Sequence, residues 1–232
     1  MSEETETGKK RILLRSIYLW TALHVLLAAA VVMLTVDVPQ LVAWIREQWI
    51  FFLIVSVGCG SACLWFKRYL SWGAMYFCSL LFVLSTAMMY ALCGKDLVES
   101  VIFPGLLSSG ILYGLLACYG YVTSNKMEGA LFNFIWLLIP SALLATYVTF
   151  FQEAILWVPI FVLLGLTFCV PHPQRMKCYG CKDIDYNDPK EALRGCVACL
   201  AFPLFIVLYL VRIITECLIR ILGCLCGGDP GN

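Results

Sequence analysis

The sequence predicts an all-α membrane protein, a bundle of seven transmembrane helices with a cytosolic N-terminus. Of its 232 residues, 62% are hydrophobic and only 13% are charged, which is more apolar side chain than one soluble core of this size can bury. The apolar residues fall into runs close to the ~20 residues that cross a hydrocarbon core. Lys and Arg concentrate in alternate connections between these runs, as positive-inside insertion requires.

The seven runs follow one another with short polar breaks. The first closes at the stretch VDVPQ, which suits a turn leaving the membrane, and the second and fourth are rich in the small residues that let helices approach closely. Pro203 should kink the last run. The predicted spans are residues 17–36, 49–66, 72–92, 101–122, 130–151, 155–170 and 193–214, inside a transmembrane domain of residues 16–222 with tails at 1–15 and 223–232.

The distribution of positive charge predicts the orientation. Most Lys and Arg lie in the N-terminal tail, after the second and fourth spans, and in the loop between the sixth and seventh spans. The opposite side has Arg46, Lys95, Arg212 and Arg220. The first side is therefore predicted to be cytosolic. The C-terminus lies opposite if all seven spans cross, and returns to the cytosol if the segment around Pro203 is re-entrant.

Cysteine spacing in the last third suggests a metal site. Most of the 13 cysteines lie inside apolar spans, where a thiol behaves as a small hydrophobe. Cys178 and Cys181, followed by Cys196 and Cys199, have the spacing of a zinc ribbon, with His172 as an extra ligand. The alternatives are packing for the second pair, which falls in the first turns of an apolar helix, and a reduced, solvent-exposed Cys-x-x-Cys in the loop for the first pair.

Polar residues within or beside the spans are the other candidates. Arg212, Glu216 and Arg220 are four residues apart and share one helical face, where the acid can pair with both bases. The ladder is a functional candidate if it lies at membrane depth, and an interfacial feature if the helix has already left the hydrocarbon. His24 lies inside the first span, where a histidine hydrogen-bonded to a neighbouring helix is expected.

The order of the charged and polar stretches along the chain resembles the pattern of a known family. The stretches that carry the resemblance are LLRSIYLWTALHVLL, PHPQRM, DPKEAL and AFPLFIVLYLVRI. Together they resemble the transmembrane Bax inhibitor motif family along nearly the whole chain, with the matches concentrated in the last third. The resemblance implies a pair of acids linked to pH-sensitive calcium leak. With Gln174 on the motif glutamine, the first of these positions holds His172, and with LFIVLYLVRI on the seventh helix, the second holds Phe202. This divergence is most similar to the seven-spanning members of cytomegaloviruses.

Two functions are expected from this resemblance. One is a viral modulator that binds host membrane proteins and alters immune or cell-death signalling in the endoplasmic reticulum, Golgi or related endomembranes. The other is a calcium leak pathway, in which His172 replaces an acid as a pH switch; an ordinary interfacial histidine is the alternative reading. We expect no enzyme activity and no cofactor, because the sequence has no catalytic motif. We expect no nucleic-acid partner, because 16 basic residues are balanced by 15 acidic ones. The lipid bilayer is the partner common to both functions.

Overall fold

Helices make up nearly all of the structure, a computed structural model that describes residues 2–122, 176, 180, 184–201 and 215. A 3-10 turn, Ala91–Cys93, prolongs α4, and a π turn, Val98–Ile102, leads into α6. The helices are α1 (Ser2–Val36), α2 (Pro39–Glu47), α3 (Trp49–Trp65), α4 (Trp72–Tyr90), α5 (Lys95–Leu97), α6 (Phe103–Val122) and α7 (residues 190–201).

Three helical segments of the described chain are long and apolar enough to cross a membrane. They are Gly8–Val36, Trp72–Cys93 and Lys95–Cys118, and the pair α2 and α3, bent by 74°, makes a fourth if it counts as one broken span. The all-helical class and several membrane-spanning helices are therefore as predicted. The predicted fifth and sixth spans and most of the seventh lie outside the described residues, so the number seven stays a prediction.

The largest helix contact joins α1 and α6. Leu13 and Ile17, near the start of α1, lie in one buried cluster with Tyr113 and Leu116 from the second half of α6. The two helices are therefore antiparallel. Where they cross, α6 has Gly110, whose small size matters because an added Cβ would lie 2.7 Å from the Leu26 side chain.

Helices α3 and α4 form an antiparallel pair joined by residues 66–71. Ser71 caps α4, since its hydroxyl accepts a hydrogen bond from the Ala74 amide at 3.2 Å. Inside the pair, Gly60 faces the ring of Phe82. Helix α4 also packs on α1, and this second contact makes α1, α3, α4 and α6 one bundle.

Helix α2 is an element that the sequence analysis did not predict. We interpreted the stretch after Val36 as a turn, and the structure forms nine helical residues there, with Pro39 in the first helical turn. Pro is favourable at that position because its missing N–H would have no partner. Nine residues are too few to cross a bilayer, which is why a search for apolar runs passed over α2.

Candidate functional site: a buried ionic clamp

Four charged side chains meet where the start of α7 lies against the α3–α4 loop. We call Lys67, Asp188, Glu191 and Arg194 the ionic clamp. Lys67 Nζ lies 2.5 Å from Glu191 Oε2 and 3.1 Å from Asp188 Oδ2. Arg194 Nη1 lies 3.3 Å from Glu191 Oε1. The Glu191 side chain is fully buried, so its charge is balanced inside the protein by two cations.

The sequence Asp-Pro-Lys-Glu explains why the two acids stand at this helix end. The Asp188 carboxylate accepts a hydrogen bond from the Lys190 amide at 2.9 Å, and its carbonyl accepts one from the Glu191 amide at 3.0 Å. An Asp cap, a Pro at the first position and a Glu three residues after the cap are typical of helix starts. The positive end of the helix dipole further favours both carboxylates there.

Basic side chains of α7 bind backbone carbonyls at the C-terminal end of α3 and in the loop that follows it. Arg194 Nε donates to the Leu64 carbonyl at 2.9 Å, in the last turn of α3. Lys190 Nζ donates to the Leu70 carbonyl at 2.9 Å, in the α3–α4 loop. The last carbonyls of a helix lack partners within the helix and carry partial negative charge, so cations stabilise them. The cationic side chains near the start of α7 thus bind the negative end of the α3 dipole.

The clamp shifts the pKa values of its two less buried members in opposite directions. Burial alone would lower the pKa of Lys67, but its hydrogen bond and charge interaction with Glu191, with smaller contributions from Asp188, raise it above the ordinary value. Burial alone would raise the pKa of Asp188, but hydrogen bonds from the Lys190 amide and Lys67 lower it. Both groups are therefore held in their charged forms.

Mutual neutralisation limits what the clamp can do chemically. Both carboxylates already bind cations, and the described part of the chain has no group of three His, Cys, Asp or Glu side chains placed to hold a metal ion. The clamp instead positions α7, because it ties residues 188–194 to the α3–α4 loop more than a hundred positions earlier. Its effect is to fix the last third of the chain on the first.

The predicted site residues fall mainly outside this region. His172, Gln174, Arg212, Glu216 and Arg220 lie outside the described residues, as do Cys178 and Cys181, so the switch, ladder and zinc hypotheses stay predictions. The other two cysteines of the zinc pattern, Cys196 and Cys199, are buried in the bundle. Cys196 is fully buried, and Cys199 packs in the cluster shared by α1 and α6.

His24 lies inside α1 and makes a hydrogen bond to the neighbouring helix α4. Its Nδ1 lies 2.7 Å from the Trp20 carbonyl and its Nε2 lies 3.2 Å from the Ser79 hydroxyl of α4. The side chain is buried. The expectation of a histidine hydrogen-bonded to a neighbouring helix is confirmed.

Sequence reasoning missed the clamp, although one signal for it was present. DPKEAL was used only for the family resemblance, while its Asp-Pro-x-Glu order already indicates a capped helix start. Lys67 was used only to assign orientation. Nothing in a single sequence pairs residues this far apart, so the partnership required the structure.

No family model, no curated protein and no solved structure matches the chain. The resemblance to the Bax inhibitor family therefore stays a hypothesis.

Proposed function

We propose that this chain is a viral multi-pass membrane protein of the Bax inhibitor type that binds host membrane proteins within or at the membrane. Binding would alter host immune or cell-death signalling in the endoplasmic reticulum, Golgi or a related endomembrane. The family resemblance motivates the viral and signalling parts of this proposal. The arrangement of the described helices bears on the binding part, and the outward face of α3 is the observation that carries it.

That face is apolar and has a flat spot near its middle. Phe51 and Ile54 are exposed, and Gly58 follows them on the same side at helical spacing. A Cβ added at Gly58 would meet nothing within 4 Å. In membranes, helices associate where small residues let their backbones approach. The α3 face therefore has the form of a helix-docking strip that faces away from the bundle.

The interior of the same bundle is occupied by internal contacts. No Asp, Glu, Lys or Arg occurs within α3, within α4, or in residues 17–36 of α1. Buried hydroxyls there bond within the bundle, as in the 2.8 Å contact between Ser56 and Thr86. A cation pathway normally has acids or ordered carbonyls along its lining. Spans without such groups favour a scaffold that binds partners through its outer surface, rather than a pore.

The proposed orientation rests on the two ends of the bundle. The start of α1, the α3–α4 loop and the start of α7 share one end, since Lys10 lies over the Tyr186 ring and Lys67 contacts Glu191. That end has eight basic residues of the described chain, and a basic end is retained in the cytosol. They are Lys9, Lys10, Arg11, Arg15, Lys67, Arg68, Lys190 and Arg194.

The same arrangement is compatible with seven crossings. Because α6 runs antiparallel to α1, it ends at the basic end, where α7 also starts. An even number of spans between them fits this placement. The two predicted spans at 130–151 and 155–170 satisfy this condition.

Proximity labelling from the N-terminus in expressing cells tests the binding proposal. Gly58→Leu fills the flat spot without touching the bundle interior, so we expect loss of most labelling of the membrane proteins that the unmodified chain labels. Val57→Leu, an exposed neighbour on the same helix, is the matched control and should keep the labelling. Identical labelling by both variants, at equal expression, would contradict the proposal.

A calcium leak is the second candidate, and the family resemblance motivates it. Calcium efflux from proteoliposomes separates the two functions. A leak that is abolished by His172→Ala or Glu216→Gln would favour the channel. Intact vesicles, together with labelling that depends on Gly58, would favour the binding protein.

A further inference from the structure

Helix α2 has two different faces. Leu41, Val42 and Ile45 point towards the bundle, and Ile45 is fully buried. Gln40 and Glu47 lie on the opposite, polar side. Trp44 stands between the two faces with 49% of its surface exposed and its ring 5.5 Å from that of Phe52 in α3. A short helix with this pattern suits a boundary between apolar and polar surroundings.

The length of α3 fixes the depth at which this boundary lies. Its 17 residues span about 25 Å at 1.5 Å per residue, slightly less than a hydrocarbon core of about 30 Å. Trp49 and Trp65 mark its two ends, as tryptophans do at membrane interfaces. The bend of 74° at Gln48 therefore falls close to the edge of the hydrocarbon, and α2 leaves α3 there.

A neighbouring ion pair marks the water side of the same edge. Lys95 Nζ lies 2.8 Å from Asp37 Oδ1, and both side chains are more than half exposed. Asp37 lies between α1 and α2 in the chain, and Lys95 begins α5 just after the turn Ala91–Cys93. Helix α2 also packs against the end of α1 and the turn Ala91–Cys93. It therefore lies between an exposed ion pair and the first turn of a membrane-crossing helix.

We infer that α2 lies in the plane of the membrane, at the boundary between headgroups and acyl chains of the leaflet opposite the ionic clamp. Trp44 enters the lipid there, while Gln40 and Glu47 face water. The exposed apolar surface of α2 continues directly into that of α3, through Trp49 and Ile50. The same bilayer that covers α3 therefore covers the exposed part of α2. This inference does not depend on the proposed function.

Fluorine NMR of the full chain in phosphatidylcholine nanodiscs tests whether α2 lies in the membrane interface. The seven tryptophans are labelled with 5-fluorotryptophan, and the Trp44 signal is assigned by its absence in Trp44→Phe. A lipid with a nitroxide near the top of its acyl chain should remove most of the Trp44 signal. A gadolinium chelate confined to water should reduce it much less.

Ala43→Trp is the matched control, because residue 43 is the neighbour of Trp44 but lies about 100° around the helix, on the polar side. Its added signal should show the reverse order, with the larger loss from the chelate. Greater loss of the Trp44 signal from the chelate than from the lipid would overturn the inference, since the helix would then lie in water. Protection from both reagents would also overturn it, because a second copy or another protein would then cover Trp44.

Discussion

Each end of the bundle has a lysine paired with two carboxylates, but the two clusters differ in their exposure to water. At the clamp end, the Lys67 side chain is 13% exposed and its partner Glu191 is not exposed at all. At the other end, the Lys95 side chain is 56% exposed, and its partners Asp37 and Glu99 are also about half exposed. Each lysine contacts two carboxylates, at similar distances. The difference between the ends is access to water.

Access to water decides what each cluster contributes. Exposed ion pairs typically contribute little, because water solvates the separated charges almost as well. In a buried pair, removal of one partner leaves the other charged and without water, which costs about 3–5 kcal/mol. Lys67 should therefore be hard to replace and Lys95 easy, although their contacts look alike.

Lys67→Met should produce the largest effect. It leaves the buried Glu191 with Arg194 alone and removes one of the contacts that join the α3–α4 loop to α7, so we expect a loss of about 3 kcal/mol in the free energy of unfolding. Reversible unfolding in detergent micelles, followed by circular dichroism, measures this loss. The double variant Lys67→Met with Glu191→Gln should recover part of it, because the neutral amide removes the uncompensated charge at residue 191, while Arg194 loses its carboxylate partner. No recovery would mean that the clamp stabilises by more than charge balance.

The contact between α1 and α6 lies between the two ends and gives a charge-free reference. In Gly110→Ala the new Cβ would meet Leu26, whereas in Gly114→Ala it would meet nothing within 4 Å. Overpacking costs about 1–3 kcal/mol, and Ala is intrinsically better than Gly in a helix. We expect Gly110→Ala to be less stable than Gly114→Ala by about 1–2 kcal/mol in the same unfolding assay. Equal stabilities would show that Leu26 moves aside freely.

The pH dependence of stability should show the clamp through Asp188. Its pKa is lowered in the folded protein, so its contribution is present above its ordinary value of 3.8 and is lost as pH falls through the folded pKa. The raised pKa of Lys67 has the opposite sign: that contribution is present below 10.5 and is lost as pH rises further. Between these limits both contributions are complete.

Asp188→Asn should therefore reduce stability by up to about 1 kcal/mol at pH 7 and make the loss on acidification shallower. Unfolding curves from pH 7 to pH 3 for both proteins measure the two effects. An acid limb as steep as that of the unmodified chain would assign the limb to other carboxylates.

Lys95→Met should have the smallest effect, with no measurable change in stability at physiological ionic strength. Its neighbours keep their water, so nothing is left uncompensated. The same unfolding assay applies, and the comparison with Lys67→Met is the informative quantity. A loss at Lys95 as large as the loss at Lys67 would refute the view that access to water distinguishes the two ends.

The described spans could be predicted closely because each depends on a local property. The predicted starts at residues 49 and 72 coincide with those of α3 and α4, since an apolar run begins there. Helix α2 could not be found in this way, because its faces alternate and its nine residues fall below the length of a span. Its signal in the sequence is the alternation of apolar Leu41, Val42 and Ile45 with polar Gln40 and Glu47.

The clamp illustrates a different limit. The helix start at Asp188 follows from neighbouring residues, and its capping pattern can be read directly. The contact of Glu191 with Lys67 depends on how distant helices pack, and no periodicity in one sequence encodes it. The residues proposed from the sequence as the polar centre, His172 and the ladder ending at Arg220, lie outside the described residues and stay predictions.

The distance along the chain between Lys67 and Glu191 sets an order of events during synthesis. Their positions differ by 124, and at about 5–20 residues per second the ribosome needs roughly 6–25 s to pass from one to the other. During that interval the α3–α4 loop is already made, but its counter-charge does not yet exist. In a nascent chain arrested before Asp188, Lys67 would therefore lack both of its carboxylate partners, and α3 and α4 would have to pack without them.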